Sequence, residues 1–148
     1  MLVRFASSVP ESAHRWIAAL VRRCGRLWGF ADWEVRVECG DLKRNVVATV
    51  AVHPGGSQAC VTMDPSRMYD RAVLRTDLIH ELWHVPMWGI FAALQDLAAH
   101  IPPKRRRPAL EAATRRYEVA HDYTARIWAP LLRERRAKVA TKVGGRCG

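Results

Sequence analysis

The segment His80-Glu81-Leu82-Trp83-His84 lies inside an apolar run with helical spacing that begins near Arg71. Residues four apart lie on the same face of a helix, so His80 and His84 can aim two imidazole nitrogens at one point. Zinc binds imidazole nitrogen at about 2.0–2.1 Å, and this spacing is typical of its sites. Glu81 is left free to exchange a proton with a water molecule. The segment predicts a helix with two metal ligands and a general base; the alternative is a helix with two surface histidines.

A third ligand has to come from elsewhere in the chain, because a catalytic zinc normally has three protein ligands. Glu118 is the first candidate. Asp122 follows it by one helical turn and can accept the outer N–H of a ligand histidine. The alternative for Glu118 is a solvated carboxylate paired with a nearby arginine. His100 is the second candidate, and it requires the chain around it to fold back over the metal.

His121 is the third candidate ligand, three residues beyond Glu118 on the same predicted helix. It can instead stand over the site as a proton donor or as a stabiliser of the transition state, a role for which Tyr117 and Tyr123 are rivals. Asp77, one turn before Glu81, is a further candidate for supporting the site, with a surface carboxylate as the alternative.

The preceding segments predict an N-terminal helix and a small, mostly antiparallel three-stranded sheet. Apolar residues recur at three-and-four spacing from Glu11 to Gly29, which predicts a helix. Polar and apolar residues alternate from Trp33 to Cys39, as in a strand with one solvent-exposed face. Two short apolar runs around a Pro-Gly-Gly turn predict a hairpin formed by Asn45–His53 and Gln58–Met63. With the motif helix and the helices after it, the pattern indicates an α+β fold.

After the motif, prolines suggest the boundaries of the elements. Pro86 lacks a backbone N–H, so the motif helix is expected to stop or kink after His84. The apolar run 87–98 is expected to pack on the core or to form a hydrophobic wall beside the site. Pro102 to Pro108 is expected to be a basic loop, followed by a second long helix over 109–128 that ends or bends near Pro130.

Composition indicates one globular domain, predicted over residues 1–140, with a flexible basic tail at 141–148. The chain has 148 residues, of which 49% are hydrophobic and 26% charged. No segment reads as a secretory signal or a membrane span, so a cytoplasmic protein without membrane contact is expected. The four cysteines have no CxxC spacing, which argues against a zinc ribbon or a disulfide scaffold.

The net charge of +10 is concentrated in two places. One is the run Lys104-Arg105-Arg106-Arg107, and the other is the C-terminal segment from Arg133 to Arg146. Such runs can bind nucleic acid, although they are more often solvated surfaces. Nucleic acid is therefore a second predicted partner besides a protein or peptide substrate.

The motif and the helix around Glu118-Val119-Ala120-His121-Asp122 resemble the gluzincin pattern of zinc metallopeptidases, in the short form found in bacteria and phages. The resemblance covers roughly Trp33 to Pro130, and its specific part is the HExxH segment. It implies a minimal zincin-like fold, a Zn²⁺ cofactor held by His80, His84 and Glu118, and Glu81 as the general base. It also implies that the strand 59–63 is the sheet edge that pairs with an extended peptide.

Two alternatives accompany this reading. In SprT-like proteases, a related family that acts on proteins attached to DNA, a downstream histidine is the third ligand, which would give that role to His100. The other alternative is a protein without this catalysis: either a basic nucleic-acid-associated protein whose motif binds zinc structurally or not at all, or a catalytically silent zincin that acts as an interaction module.

Overall fold

A computed structural model of the chain describes residues 1–43, 45–53, 55 and 57–132. Within these residues there are three α-helices and four β-strands, and the predicted α+β class is confirmed. In chain order the elements are β1 (Leu2–Phe5), α1 (Glu11–Trp28), β2 (Glu34–Cys39), β3 (Ala48–His53), β4 (Gln58–Met63), α2 (Arg71–Ala99) and α3 (Pro103–Leu131). The predicted tail at 141–148 lies outside the described residues.

The sheet has four strands in the order β1-β2-β4-β3, so the predicted three-stranded, mostly antiparallel sheet is wrong. β1 pairs parallel with β2, β2 pairs parallel with β4, and only the β3–β4 hairpin is antiparallel. Parallel neighbours need a crossover connection, which α1 provides between β1 and β2. Four residues are too short a pattern to identify β1 from the sequence.

The hairpin strand β3, and not β4, forms the edge of the sheet beside the motif helix. β4 is paired on both sides, with β2 and with β3, so the expectation that residues 59–63 form the edge is wrong. The pairing partners were not deducible from the hairpin alone, because a hairpin has two strands and either can face outward.

All three helices contribute buried side chains to one core, which covers one face of the sheet. Alternate residues of the strands point into this core and the others point to solvent, as the two-residue period requires. α1 ends at Gly29, whose positive φ of 79° is the left-handed conformation that glycine adopts readily. The fully buried side chains include Ile17, Val35, Val37, Leu74, Leu78, Ile79 and Leu82. Cys24, Cys39 and Cys60 are free thiols, consistent with the spacing of the cysteines.

The motif helix α2 continues through Pro86 to Ala99, so the predicted break after His84 is wrong. Asp70 caps the N-terminus of the helix: its side chain accepts hydrogen bonds from the Ala72 and Val73 amides. Val85, the residue before the proline, is 2% exposed and belongs to the core. Burial of the turns before Pro86, which include Leu82 and Val85, therefore favours the helix despite the missing hydrogen bond.

We expect Pro86→Ala to raise the free energy of unfolding of the metal-free protein by about 1–3 kcal/mol. Alanine restores an amide that can donate to the Leu82 carbonyl one turn earlier. Urea denaturation measures the difference. Pro103→Ala is the matched control, because Pro103 occupies the first turn of α3, where no intrahelical amide bond is needed. A stability unchanged by Pro86→Ala would mean that contacts of the proline ring offset the lost hydrogen bond.

The basic run Lys104–Arg107 lies in the first turns of α3, so the predicted basic loop over 102–108 is wrong. The helix begins at Pro103, where the fixed φ of proline suits the first turn. It also extends past the predicted end, to Leu131, with Pro130 in its last turn. The prolines in the first and last turns of α3 therefore do not interrupt the helix.

Two of these arginines have partners within the protein. The Arg106 guanidinium donates to the carbonyl oxygens of Ala99 and Ile101, at 2.8 and 3.3 Å. It thereby provides hydrogen-bond donors for backbone carbonyls at and just beyond the C-terminal end of α2. Arg107 pairs with Glu111 at 2.8 Å. Nucleic-acid binding by this run and by the C-terminal segment stays a prediction. Among the described helices, none has the length and apolar composition needed to cross a membrane.

Candidate metal centre

The HExxH motif lies in the middle of α2, where α3 packs against it. The two helices are joined by only three residues, and their contacts pair Ala99 with Arg106 and His80 with Asp122. The first contact lies close to the connection between the helices, and the second lies farther from it along each helix. The two helices therefore run antiparallel, as a helical hairpin. This arrangement brings the carboxylates of α3 to the histidines of α2.

Four side chains form the cluster: His80 and His84 from α2, and Glu118 and His121 from α3. One donor atom of each lies within 4.8 Å of the others. Glu118 Oε2 is 3.2 Å from His80 Nε2 and 3.8 Å from His84 Nε2. Metal bonds of about 2.0–2.1 Å at tetrahedral angles separate the ligand atoms by about 3.3 Å. The donor set therefore has both the chemistry and the spacing to hold one metal ion.

His80 is oriented by Asp122. The two groups meet at 2.9 Å between Nδ1 and Oδ1. An ionised carboxylate can only accept, so the Nδ1–H donates to Asp122, which leaves Nε2, 3.2 Å from Glu118 Oε2, as the ring nitrogen that faces the cluster and could bind a metal. This is the pairing that the Glu118-to-Asp122 spacing predicted from the sequence.

We expect Asp122→Ala to weaken zinc binding about 10- to 100-fold, because the ring of His80 loses the partner that sets its tautomer and orientation. Competition with a chromophoric chelator measures the affinity. Glu111→Ala removes another exposed carboxylate from the same helix and is the matched control. Equal affinities for the two variants would show that Asp122 is only a surface group.

Glu81 lies beside the cluster. Its carboxylate Oε1 is 3.9 Å from His80 Nε2, and its side chain is 18% exposed. Burial and the nearby Glu118 raise the pKa of Glu81 to about 8, although a hydrogen bond from the Val50 backbone opposes the shift. A cation at the cluster would lower this pKa, because an opposite charge favours the ionised form.

His84 and His121 are held neutral. Burial, with the neighbouring histidines, lowers the pKa of His84 to about 3 and that of His121 to about 4. His121 Nδ1 and His84 Nε2 are 3.3 Å apart. His121 is fully buried, and its Nε2 has no hydrogen-bond partner among the described residues. Neutral imidazoles keep the lone pair that a metal requires.

Tyr117 packs over these histidines. Its ring centroid is 4.0 Å from that of His121 and 5.6 Å from that of His84. Burial and the charge of Glu118 raise the pKa of Tyr117 to about 12, so its hydroxyl stays protonated and can donate. Its rival Tyr123 is 68% exposed and is not part of the cluster.

The two remaining predicted residues, His100 and Asp77, are not members of the cluster. His100 is exposed at the C-terminal end of α2, roughly 24 Å along the helix from His84, so it is not brought to the cluster. The continuous helix through Pro86 is the reason. Asp77 is close to His80 and Asp122; burial raises its pKa, and its Oδ2 has no hydrogen-bond partner among the described residues.

A cavity of about 350 Å³ opens beside the cluster. One side is the edge strand β3, and the other is formed by α2 and α3. The sequence alone did not place β3 here, because strand order depends on contacts far apart in the chain. The lining residues are Thr49, Val50, Val52, His80, Glu81, His84, Trp88, Phe91, Tyr117 and Glu118.

Comparison with known proteins returns no match, whether with family models, curated proteins or solved structures. The function of the chain is therefore inferred from the chemistry of its cluster and cavity. Among the described residues, His80, His84, Glu118 and His121 form a group that could hold a metal ion.

Proposed function

We propose that this chain is a zinc-dependent peptidase of the zincin type, with His80, His84 and Glu118 as metal ligands and Glu81 as the general base. The observation that carries the proposal is the cluster itself. Its donor atoms lie within 4.8 Å of one another, and the carboxyl group of Glu81, which is not one of them, lines the cavity beside them. Two imidazoles and one carboxylate suit a catalytic zinc, because three protein ligands leave its fourth position open to water.

Zinc supplies Lewis acidity, which lowers the pKa of water toward about 7 and polarises a carbonyl group. Glu81 then performs the proton transfers. Its carboxylate accepts a proton as water attacks the peptide carbonyl, and the carboxylic acid that results donates this proton to the leaving amine. Burial makes both steps effective, because a carboxyl group with little solvation holds and releases a proton near neutral pH.

His121 and Tyr117 are proposed to assist at the carbonyl oxygen of the substrate. His121 is the member of the cluster that the proposed ligand set leaves out, and Tyr117 lines the cavity beside it; both are neutral at neutral pH, so each can donate a hydrogen bond to an oxygen on which negative charge develops. The buried ring of His121 is held by the Tyr117 ring at 4.0 Å, so neither side chain has to move far.

The edge strand β3 is the proposed binding surface for the peptide backbone. A peptide in extended conformation can add to an unpaired strand edge through main-chain hydrogen bonds. The Val50 backbone, in the middle of β3, bonds to Glu81. A peptide paired with β3 therefore passes close to the general base.

The first test is the metal content of protein purified without chelator, together with cleavage of an unfolded protein such as casein. We expect about one zinc per chain, and cleavage that a chelator stops and that added zinc restores. Protein that contains no metal, even after zinc is supplied, would overturn the proposal. Zinc at full occupancy without cleavage of any substrate would indicate a structural metal site.

A further inference from the structure

The side of the cavity away from the edge strand is an aromatic wall formed by Trp88, Phe91 and Tyr117. Trp88 and Phe91 follow His84 by four and seven residues on α2, so they lie on the helix face that carries the metal ligands. The Phe91 ring centroid is 6.3 Å from that of Trp88 and 5.5 Å from that of Tyr117. Because α2 does not break at Pro86, this wall runs directly on from the cluster.

The wall is available to a ligand. Each of its three rings is only partly buried, whereas side chains in a protein core are usually fully buried. The charged groups that line the cavity are Glu81 and Glu118, both at the cluster, and no lysine or arginine is among the lining residues. The cavity thus offers an apolar surface next to two carboxylates.

The size and shape of the cavity indicate what fits. Ligand pockets have volumes of roughly 300–1,000 Å³, so about 350 Å³ is at the small end of that range. A side chain with its adjoining backbone fits better than a large cofactor. In an extended peptide beside β3, alternate side chains point to the same face, so one of them can enter between Val52 and the wall.

We propose that this cavity recognises a large apolar side chain, above all an aromatic one, next to the peptide bond that is cleaved. The inference rests on the proposed peptidase function and names its substrate class. Aromatic rings pack favourably against the faces and edges of other rings, which favours phenylalanine and tyrosine over aliphatic residues of similar size. No lysine or arginine lines the cavity to pair with an acidic side chain, so aspartate and glutamate are disfavoured there.

The test uses internally quenched peptides of alanine and glycine in which the residues flanking the central bond are varied among Phe, Leu, Ala and Glu. We expect kcat/KM to fall in that order, with Phe at least about tenfold above Ala. Phe91→Ala and Trp88→Ala should remove most of this preference. Ile90→Ala is the matched control, because Ile90 is 52% exposed on the same helix and does not line the cavity. Circular dichroism verifies folding, and the leucine variants replace any alanine variant that fails to fold.

Binding is measured separately, by fluorescence anisotropy of labelled Phe and Ala peptides on the Glu81→Gln protein. If peptides are cleaved without preference, or if the preference survives in both wall variants, the inference is wrong while the peptidase proposal stands. If no peptide is cleaved, the peptidase proposal fails, and the binding measurement alone tests whether the cavity recognises an aromatic side chain. Selective binding of the Phe peptide that is lost in Phe91→Ala would support the aromatic wall, and equal binding of both peptides would refute it.

Discussion

Replacing Glu81 by glutamine is expected to lower peptide cleavage by about 10²- to 10⁴-fold, the contribution typical of a general acid–base group. Glutamine has nearly the same shape as glutamate, but its amide can neither take a proton from water nor return one to the leaving amine. The donor atoms of His80, His84, Glu118 and His121 are untouched by this change. The zinc content should therefore stay the same.

Cleavage rate and zinc content have to be measured on the same preparations. Glu111→Gln, which neutralises an exposed carboxylate on α3, is the control and should keep both. If Glu81→Gln cleaves as fast as the parent protein, another group is the base. If it also loses zinc, Glu81 takes part in holding the metal.

The second large effect is expected at His84, where alanine should abolish zinc binding. His84 Nε2 is within 3.8 Å of two other members of the cluster, Glu118 and His121, so alanine removes one of the two motif imidazoles from among the donor atoms. A metal that binds only the folded state stabilises it by about 2.7 kcal/mol at a concentration of 100 times Kd. For a chain of this size, that corresponds to an increase of about 5–10 °C in Tm.

Thermal unfolding with and without zinc measures this shift. We expect the increase in Tm for the parent protein and none for His84→Ala. His100→Ala is the control, since His100 lies at the far end of α2, and it should retain the full shift. A shift that is lost in His100→Ala and kept in His84→Ala would mean that the metal is bound elsewhere, as in the SprT-like arrangement.

Local patterns predicted much of this molecule. The bounds of α1 and β4 are close to those expected, because each has an apolar period that belongs to one type of element. Spacing also predicted that Asp122 could accept from a ligand histidine, and the structure shows that this histidine is His80. Two histidines one turn apart on one helix, and two carboxylates one turn apart on another, can meet in few ways once the helices pack.

The predictions that failed depend on contacts between distant parts of the chain. Pro86 and Pro103 have the same intrinsic preferences, yet one lies in the interior of a helix and the other starts a new one. Proline makes a helix interior less favourable by about 3 kcal/mol, which burial of the preceding turns can offset. His121 was one candidate among several in the sequence, and only packing of α3 on α2 brought its Nδ1 to 3.3 Å from His84 Nε2.

The sequence by itself determined the motif helix, the candidate ligands His80 and His84 and the candidate base Glu81, because helical periodicity relates residues that are neighbours in the chain; for the third ligand it left Glu118, His100 and His121 as alternatives. Only the tertiary structure decided that β3 is the edge strand, that His100 is remote, and that Trp88 and Phe91 line a cavity beside the cluster. Strand order and helix pairing are selected by burial of the whole core, and that free energy belongs to no single segment.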